Sequence, residues 1–500
     1  MKLRFKYIPH LLVLIGFFMI SVPLWLKVDV LPIRLWDESR NAVNAIEMYQ
    51  TGDWLVRTYG FAPETYELKP PLLTWFQVAS LNIFGLNELG IRFPSVLFSL
   101  VTLIVLFSLV YRMTRKWYIA LLASFICATS AGFYTEHLGR FGDHEALLVC
   151  LYTCLFYVVY QYSTTERVRY IYLTALSVAL AVLCKSISVG MLLPGIFLFL
   201  LFDKKILTLL KNKHTYLALL LGTLPVFVYY YLREQVQPGY LHMVWEMELF
   251  PRFFNTSTEL VFQENPFNYY FNLIRSSQME YWVWSLILVI LAPFIAKKID
   301  RHWAFWSIQA VLFLLIISSG TKNFWYSAPA IPMLAGAIAV SIHLLISKKR
   351  TYNFVLAVPL AVLATLSYQK AYKYAMQPTE RYYEWETNGI SHFLKNENHI
   401  ANITSGTKIL LDDQYGFEPH KFYIEALKIE RGLDIKRTEL YNIKPYDTLL
   451  ISHLSTLQKL KESYDIEVLD SSYSHTKLLI LLPKDTLIQV DPVSQLSSVE

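Results

Sequence analysis

"LPIRLWDESRNA", residues 31–42, follows directly on an apolar run, Ile8–Val28, that is long enough to cross a membrane. Two adjacent acids, Asp37 and Glu38, therefore stand where the chain leaves lipid. An ionisable pair in that position needs a physical reason.

The rest of the chain fits a membrane protein. Of 500 residues, 54% are hydrophobic and only 17% charged, less charge than a soluble protein of this length carries. Ile8–Val28 has a long apolar part with no small-x-small cleavage pattern after it, so it is read as a retained helix and not as a signal peptide. Eleven spans are expected, at 8–28, 91–111, 118–136, 145–162, 169–184, 187–202, 215–232, 281–296, 303–319, 325–346 and 353–369. The net charge of +6 does not mark an acidic partner, because lysines and arginines sit in short loops. Lys2, Arg4 and Lys6 precede the first span. Arg112, Arg115 and Lys116, then Arg167 and Arg169, then Lys204, Lys205, Lys211 and Lys213, then Lys297, Lys298 and Arg301, then Lys348, Lys349 and Arg350 follow the even-numbered ones. That alternation predicts a cytoplasmic N-terminus and an external C-terminus. Residues 29–90, 137–144, 233–280 and the tail from about 370 then lie outside. Cys127, Cys150, Cys154 and Cys184 lie in or beside apolar runs and match no zinc spacing, so they read as small buried hydrophobes.

The first external segment is more than a loop. Ala42, Val43, Ile46 and Tyr49 follow helical spacing, which predicts an amphipathic helix opening at Asp37 and ending at Gly52. Asp37 would cap it and Glu38 would lie in its first turn. A second helix is expected after Pro70-Pro71. The tail reads as a small α/β domain: "TKILLDD", "YDTLLIS", "DIEVLD" and "TKLLILL" have strand lengths, and "LSTLQKLKES", residues 454–463, reads as a helix between strands. The expected organisation is a transmembrane catalytic domain over 1–370 and an external domain over 371–500.

Ionisable residues cluster in the segments predicted to be external. Asp37 is either a plain cap or a carboxylate facing a cavity. In "YELKPPLLTW", residues 66–75, two prolines fix the backbone at Lys69, which could hold a lipid phosphate or simply anchor the chain at the interface. Tyr66 could add a hydroxyl. "GRFGDHEALL", residues 139–148, offers Arg140, Asp143, His144 and Glu145, as an acid–base or metal cluster or as a solvated turn. Lys185 lies in the turn "CKSIS". Lys322 and Tyr326, four apart at the start of the tenth span, would share a helix face. "WEMELFPRFFN" offers Glu246, Glu248 and Arg252. The topology puts all of these at one face, with cations and acids suited to gripping an anionic lipid and activating a hydroxyl.

The stretches "WDESRNAVNAIEMYQTGDW", "KPPLLTW", "FGLNELGIRFPS", "GRFGDHEALL" and "TKNFWYSAPAIP" resemble the bacterial GT-C glycosyltransferases, relatives of the lipid A aminoarabinose transferase and of protein O-mannosyltransferases. The resemblance covers about residues 8–350. It implies a polyprenyl-phosphate sugar donor, transfer on the external face of the inner membrane, and an envelope acceptor that is lipid A, a glycan or a protein. By motif, Asp37 would be the general base, accompanied by Glu38, with Asp143 and Glu145 as further catalytic acids. Tyr66, Lys69, Arg252, Lys322 and Tyr326 would bind the donor phosphate, with Arg140, Lys185 and Glu248 as further candidates. In the aminoarabinose branch an acid precedes the KPP lysine and a histidine follows the later glutamate, as a metal's ligands would. Here those positions are Leu68 and Leu249, which cannot ligate, so no metal is assigned at that site, a divalent metal stays open as a cofactor, and aminoarabinose is not expected as the sugar. Glu67 stands one residue out of that register. A lipid flippase or transporter is the competing reading. It is disfavoured because such proteins place charges near the midplane, often in repeated halves.

Overall fold

The computed structural model describes residues 2–135, 137–249, 266–320, 322–349, 351–380, 388–410, 417–472 and 476–484. The chain forms two compact units, residues 1–31 with 40–379, and residues 32–39 with 380–500.

The larger unit is helical. Its helices include α1 (Lys2–Trp25), α2 (Asp37–Thr51, of which 40–51 belong here), α3 (Leu72–Phe84), α4 (Glu88–Thr114), α5 (Trp117–Ala128), α6 (His144–Thr165), α7 (Arg169–Lys185), α8 (Leu193–Phe202), α9 (Lys213–Val236), α10 (Leu286–Ala296), α11 (Arg301–Ser319), α12 (Ala330–Lys348) and α13 (Thr351–Met376). Polar residues set several starts. Asn87 accepts from the Gly90 N–H ahead of α4, Asp143 from the His144 N–H ahead of α6, and Asp300 from the His302 and Trp303 N–H groups ahead of α11. Arg115 and Glu166 end α4 and α6 in the left-handed conformation.

Among the described residues, seven helical segments are long and apolar enough to cross a membrane, and a pair bent by 119° (Asn268–Gln278 with Trp282–Ala296) makes an eighth. The eleven expected spans are therefore not all met at full length. The first and third correspond to shorter apolar helices, His10–Trp25 and Trp117–Ala128. The expected fifth and sixth spans pass as one 34-residue segment, Arg169–Phe202, yet the contacts at its ends show that it reverses. Lys205 pairs with Glu166, and Arg301 bonds both Asp203 (2.6 and 2.7 Å) and Ser163 (2.8 Å). Residues 203–205 thus lie beside 163–166, where α7 begins. The reversal occurs in a 3₁₀ segment, Ser186–Leu192, where Ser186 takes a positive φ of 51°. Each arm of this hairpin is about 25–30 Å long, from rises of about 1.5 Å per α residue and 2.0 Å per 3₁₀ residue.

The core is one continuous apolar cluster in which α4, α5, α6, α11 and α12 contribute fully buried side chains. Helices α11 and α12 approach closely at Gly336, where an added Cβ would lie 2.5 Å from the buried Trp306 ring. Gly336→Ala should therefore destabilise the purified protein by about 1–3 kcal/mol, read as a lower thermal midpoint in detergent, because the indole has no room to yield. Cys127, Cys150 and Cys184 are buried and Cys154 half-buried.

The smaller unit carries a five-stranded sheet. Its strands are β1 (Lys408–Leu410), β2 (Lys436–Thr438), β3 (Thr448–Ile451), β4 (Tyr464–Ser471) and β5 (Lys477–Pro483), in spatial order β2-β1-β3-β5-β4. The first three are parallel, and β5 runs antiparallel to both β3 and β4. Helix α14 (Phe417–Arg431) connects β1 to β2, and α15 (Leu454–Ser463) connects β3 to β4, as parallel and edge connections require. Apolar residues of β1, β3 and β5 pack with Leu460 in one core. Residues 32–39 group with this unit: the Ile33 N–H donates to the Tyr423 hydroxyl (2.9 Å), and Glu38 accepts from the Arg34 N–H (2.8 Å).

Candidate functional site

Residues from four segments of the helical unit meet at one end of the bundle. The segment 64–71 comes first. Residues 67–69 form no strand, and the chain bends at Lys69. Glu67 and Lys69 face each other, with Lys69 Nζ 2.8 and 2.7 Å from the two carboxylate oxygens. Leu68, between them, turns away and packs with Tyr240 and Val244. Tyr240 donates its hydroxyl to the Leu68 carbonyl (2.8 Å), and Pro70-Pro71 lead into α3. The backbone around Lys69 is thus fixed from both sides.

Arg57 flanks the pair. Its Nη2 donates to the Glu67 carbonyl and lies 4.0 Å from Glu67 Oε2. Burial opposes ionisation of Glu67, but Lys69 and Arg57 outweigh it and lower its pKa to about 2. The Glu67–Lys69 pair therefore stays ionised well below neutral pH. A second charged pair shares the segment. Arg40 bonds both oxygens of Glu64 (2.9 and 2.8 Å) and lies over the rings of Tyr59 (4.4 Å) and Tyr66 (4.8 Å). Tyr66 itself is exposed.

The turn before α6 supplies the next groups. Asp143 caps that helix and binds His137 Nδ1 (2.5 Å), while Asn41 of α2 reaches its Oδ1 at 3.4 Å. Burial opposes ionisation of Asp143, yet hydrogen bonds from His137 and His144 hold its carboxyl well below the usual carboxylate range. His137 stands at a positive φ of 64° and stacks on Trp325 with ring centroids 4.0 Å apart. Arg140 is turned elsewhere: its guanidinium donates to the carbonyls of Pro23, Leu26 and Lys27 at the end of α1.

Glu145, in the first turn of α6, forms a buried ion pair with Lys185 at the end of α7. Lys185 Nζ also lies 5.2 Å from the Tyr326 ring centroid. These three side chains line a cavity of about 230 Å³ with Tyr152, Ser186, Ser188, Glu248, Trp325 and an apolar wall that includes Met191, Phe313 and Ile317. Tyr152 donates to Ser188 (3.1 Å). The cavity is therefore polar where the charged groups gather and apolar along α11.

Lys322 and Tyr326 do not share a helix, contrary to expectation. Lys322 precedes a 3₁₀ turn, Phe324–Ser327, and α12 begins only at Ala330. The lysine folds back instead, and its Nζ donates to the Ser318 and Gly320 carbonyls (2.5 and 2.7 Å) at the end of α11. Burial holds its pKa below the ordinary lysine value. Arg252 lies outside the described residues. Asp37 and Glu38 open α2, within the stretch that groups with the smaller unit. Neither Leu68 nor Leu249 carries a donor atom, so the residues present do not fit an ion held at those two positions.

Sequence reasoning missed Glu67 as the partner of Lys69, as well as His137, Tyr152, Ser188 and Trp325. The i, i+2 spacing of Glu67 and Lys69 ahead of two prolines could have found the first. His137 has no local signal, because its partners come from the next turn and from α12's approach.

The family described as dolichyl-phosphate-mannose-protein mannosyltransferase matches residues 68–231. An uncharacterized protein of Aquifex aeolicus is 28% identical over 348 residues, 68% of this chain and 66% of its own length. The undecaprenyl phosphate-alpha-4-amino-4-deoxy-L-arabinose arabinosyl transferase of Shewanella sediminis is 27% identical over 297 residues, 57% of this chain and 51% of its own. The matched part thus spans between about half and two thirds of these curated relatives. The crystal structure of ArnT from Cupriavidus metallidurans bound to undecaprenyl phosphate shares the fold, with a TM-score of 0.66 over 94% of this chain and 97% of that one, at 14% identity. In sequence and in fold, the chain is related to the GT-C glycosyltransferases that include the aminoarabinose transferase and the protein O-mannosyltransferases.

Proposed function

We propose that the protein is an integral membrane glycosyltransferase. It moves a sugar from a polyprenyl-phosphate donor to a hydroxyl or phosphate of lipid A, a glycan or a protein, on the external face of the inner membrane. The observation that carries this reading is the arrangement at one end of the helical unit: fixed buried cations, Lys69 and Lys185, the second of which lines a cavity that is charged at one side and apolar at the other. A lipid with a phosphate-linked sugar has that same division of polarity.

In this mechanism Lys69, with Arg252 and Lys322 as further candidates, faces the donor phosphate. Tyr66 and Tyr326 supply hydroxyls to it. Fixed cations stabilise the charge that develops on the phosphate as the glycosidic bond breaks. Asp37 accepts the acceptor's proton as that oxygen attacks the anomeric carbon. One displacement inverts the anomeric centre. The departing phosphate is already a stable anion, so it needs no second carboxylic acid to protonate it, unlike the leaving group of a glycosidase. Glu38, Asp143 and Glu145 hold the surrounding charges in place.

Purified protein incubated with labelled polyprenyl-phosphate sugars and envelope extract tests the reading. Transfer of label with release of polyprenyl phosphate supports it, and movement of unchanged lipid across a vesicle supports a flippase instead. Lys69→Ala should raise the donor KM by about 10- to 100-fold, the value of a charge-assisted contact, with little change in acceptor KM. An effect confined to the acceptor would remove Lys69 from the phosphate.

A further inference from the structure

We propose that Glu67 is an internal stand-in for the donor's phosphate: its carboxylate occupies Lys69 in the donor-free protein, gives way to the phosphate on binding, and returns to displace the phosphate product. This rests on the reading of Lys69 as the phosphate-binding lysine.

Geometry supports the exchange. Both Glu67 oxygens lie at hydrogen-bond distance from Lys69 Nζ, so the carboxylate presents two acceptors to one ammonium, as two phosphate oxygens would. Arg57 stands 4.0 Å from the same carboxylate, and its Nη1, buried in a residue only 3% exposed, has no hydrogen-bond partner among the described residues. A buried guanidinium nitrogen without an acceptor is costly.

Register explains why the acid does this work in this chain. The side chains at positions 67 and 69 bond each other, while that at position 68 packs elsewhere. An acid at 68 would face Tyr240 and Val244, where Leu68 packs. One residue earlier, it faces the lysine. The shift of a single position turns a carboxylate from a neighbouring pocket onto the cation itself. Tyr240 and the two prolines hold the backbone, so exchange needs only a rotation of the Glu67 side chain.

Donor and product differ in charge. The donor is a phosphodiester with one negative charge. The product is a phosphomonoester, which carries up to about two at neutral pH. Without a competing anion the product would be the tighter ligand of Lys69 and Arg57. Glu67 competes with both and weakens both alike, which lowers the absolute affinity of the tighter-binding product and so helps its release.

Binding of farnesyl phosphate, a short isoprenoid phosphomonoester, to the purified full chain tests this, with Glu67→Gln, Lys69→Ala and the double variant in parallel. Glu67→Gln should bind about tenfold tighter or better and should show correspondingly stronger inhibition of transfer by the same compound. Lys69→Ala should bind more weakly, and the double variant should lose the gain. Unchanged or weaker binding by Glu67→Gln, with Lys69→Ala still impaired, overturns the stand-in role and leaves the phosphate reading intact. Equal binding by the wild type and Lys69→Ala overturns that reading, and the proposal with it. Should Glu67→Gln fail to fold, Glu67→Asp, whose carboxylate is retracted by one carbon, should shift affinity in the same direction by a smaller factor, and no shift in it counts against the proposal.

Discussion

Replacing Asp37 by Asn is expected to slow sugar transfer by about 10²–10⁴-fold, the usual worth of a positioned general base. The amide matches the carboxylate in size, and asparagine is as favourable as aspartate at a helix start, so α2 should still form from residue 37. What the amide cannot do is accept a proton. The measurement is turnover by purified protein with a labelled polyprenyl-phosphate sugar, set beside yield in the membrane fraction and thermal midpoint. Donor KM should stay within a few-fold, because the base acts on the acceptor oxygen. A variant with near-normal turnover would show that another group takes the proton.

The second large effect is on stability. Glu145 and Lys185 form a buried ion pair that joins α6 to the turn of the α7–α8 hairpin. Removing one partner, by Glu145→Leu or Lys185→Met, leaves a charge in a low-dielectric setting and should cost about 3–5 kcal/mol. Removing both together should cost much less than the sum, since no uncompensated charge is left. Thermal midpoints of the two single variants and the double variant in one detergent give the comparison. If the double loss equals the sum of the single ones, the two residues are stabilised independently.

Much of the fold was legible because the spans depend on length and hydrophobicity, which need no partner to be read. The start of α2 was visible in Asp37, and "LSTLQKLKES" is helical over Leu454–Ser463 as expected. The strands β1 and β3 lie within the apolar runs singled out and β4 and β5 run one residue past theirs, whereas β2, "KRT", escaped because a short edge strand with charged residues has no apolar pattern to detect. Of the candidate site, Glu145 and Lys185 were found as separate charges. Their pairing was not, because the turn at Lys185 was expected but nothing in span lengths shows that it packs against the first turn of α6. Lys322 was misplaced for a related reason: the helix assumed to begin there is delayed past Pro329, and the lysine closes the preceding helix instead.

Assembly has its own consequence in the stretch 32–39. Its Ile33 amide donates to a hydroxyl 390 residues further along. During synthesis the earlier helices can insert one after another, but this octapeptide must wait until Tyr423 has left the ribosome. The head of α2, with Asp37, is therefore among the last parts of the chain to take its final partners, and the residue proposed as the base is set only once the tail has emerged.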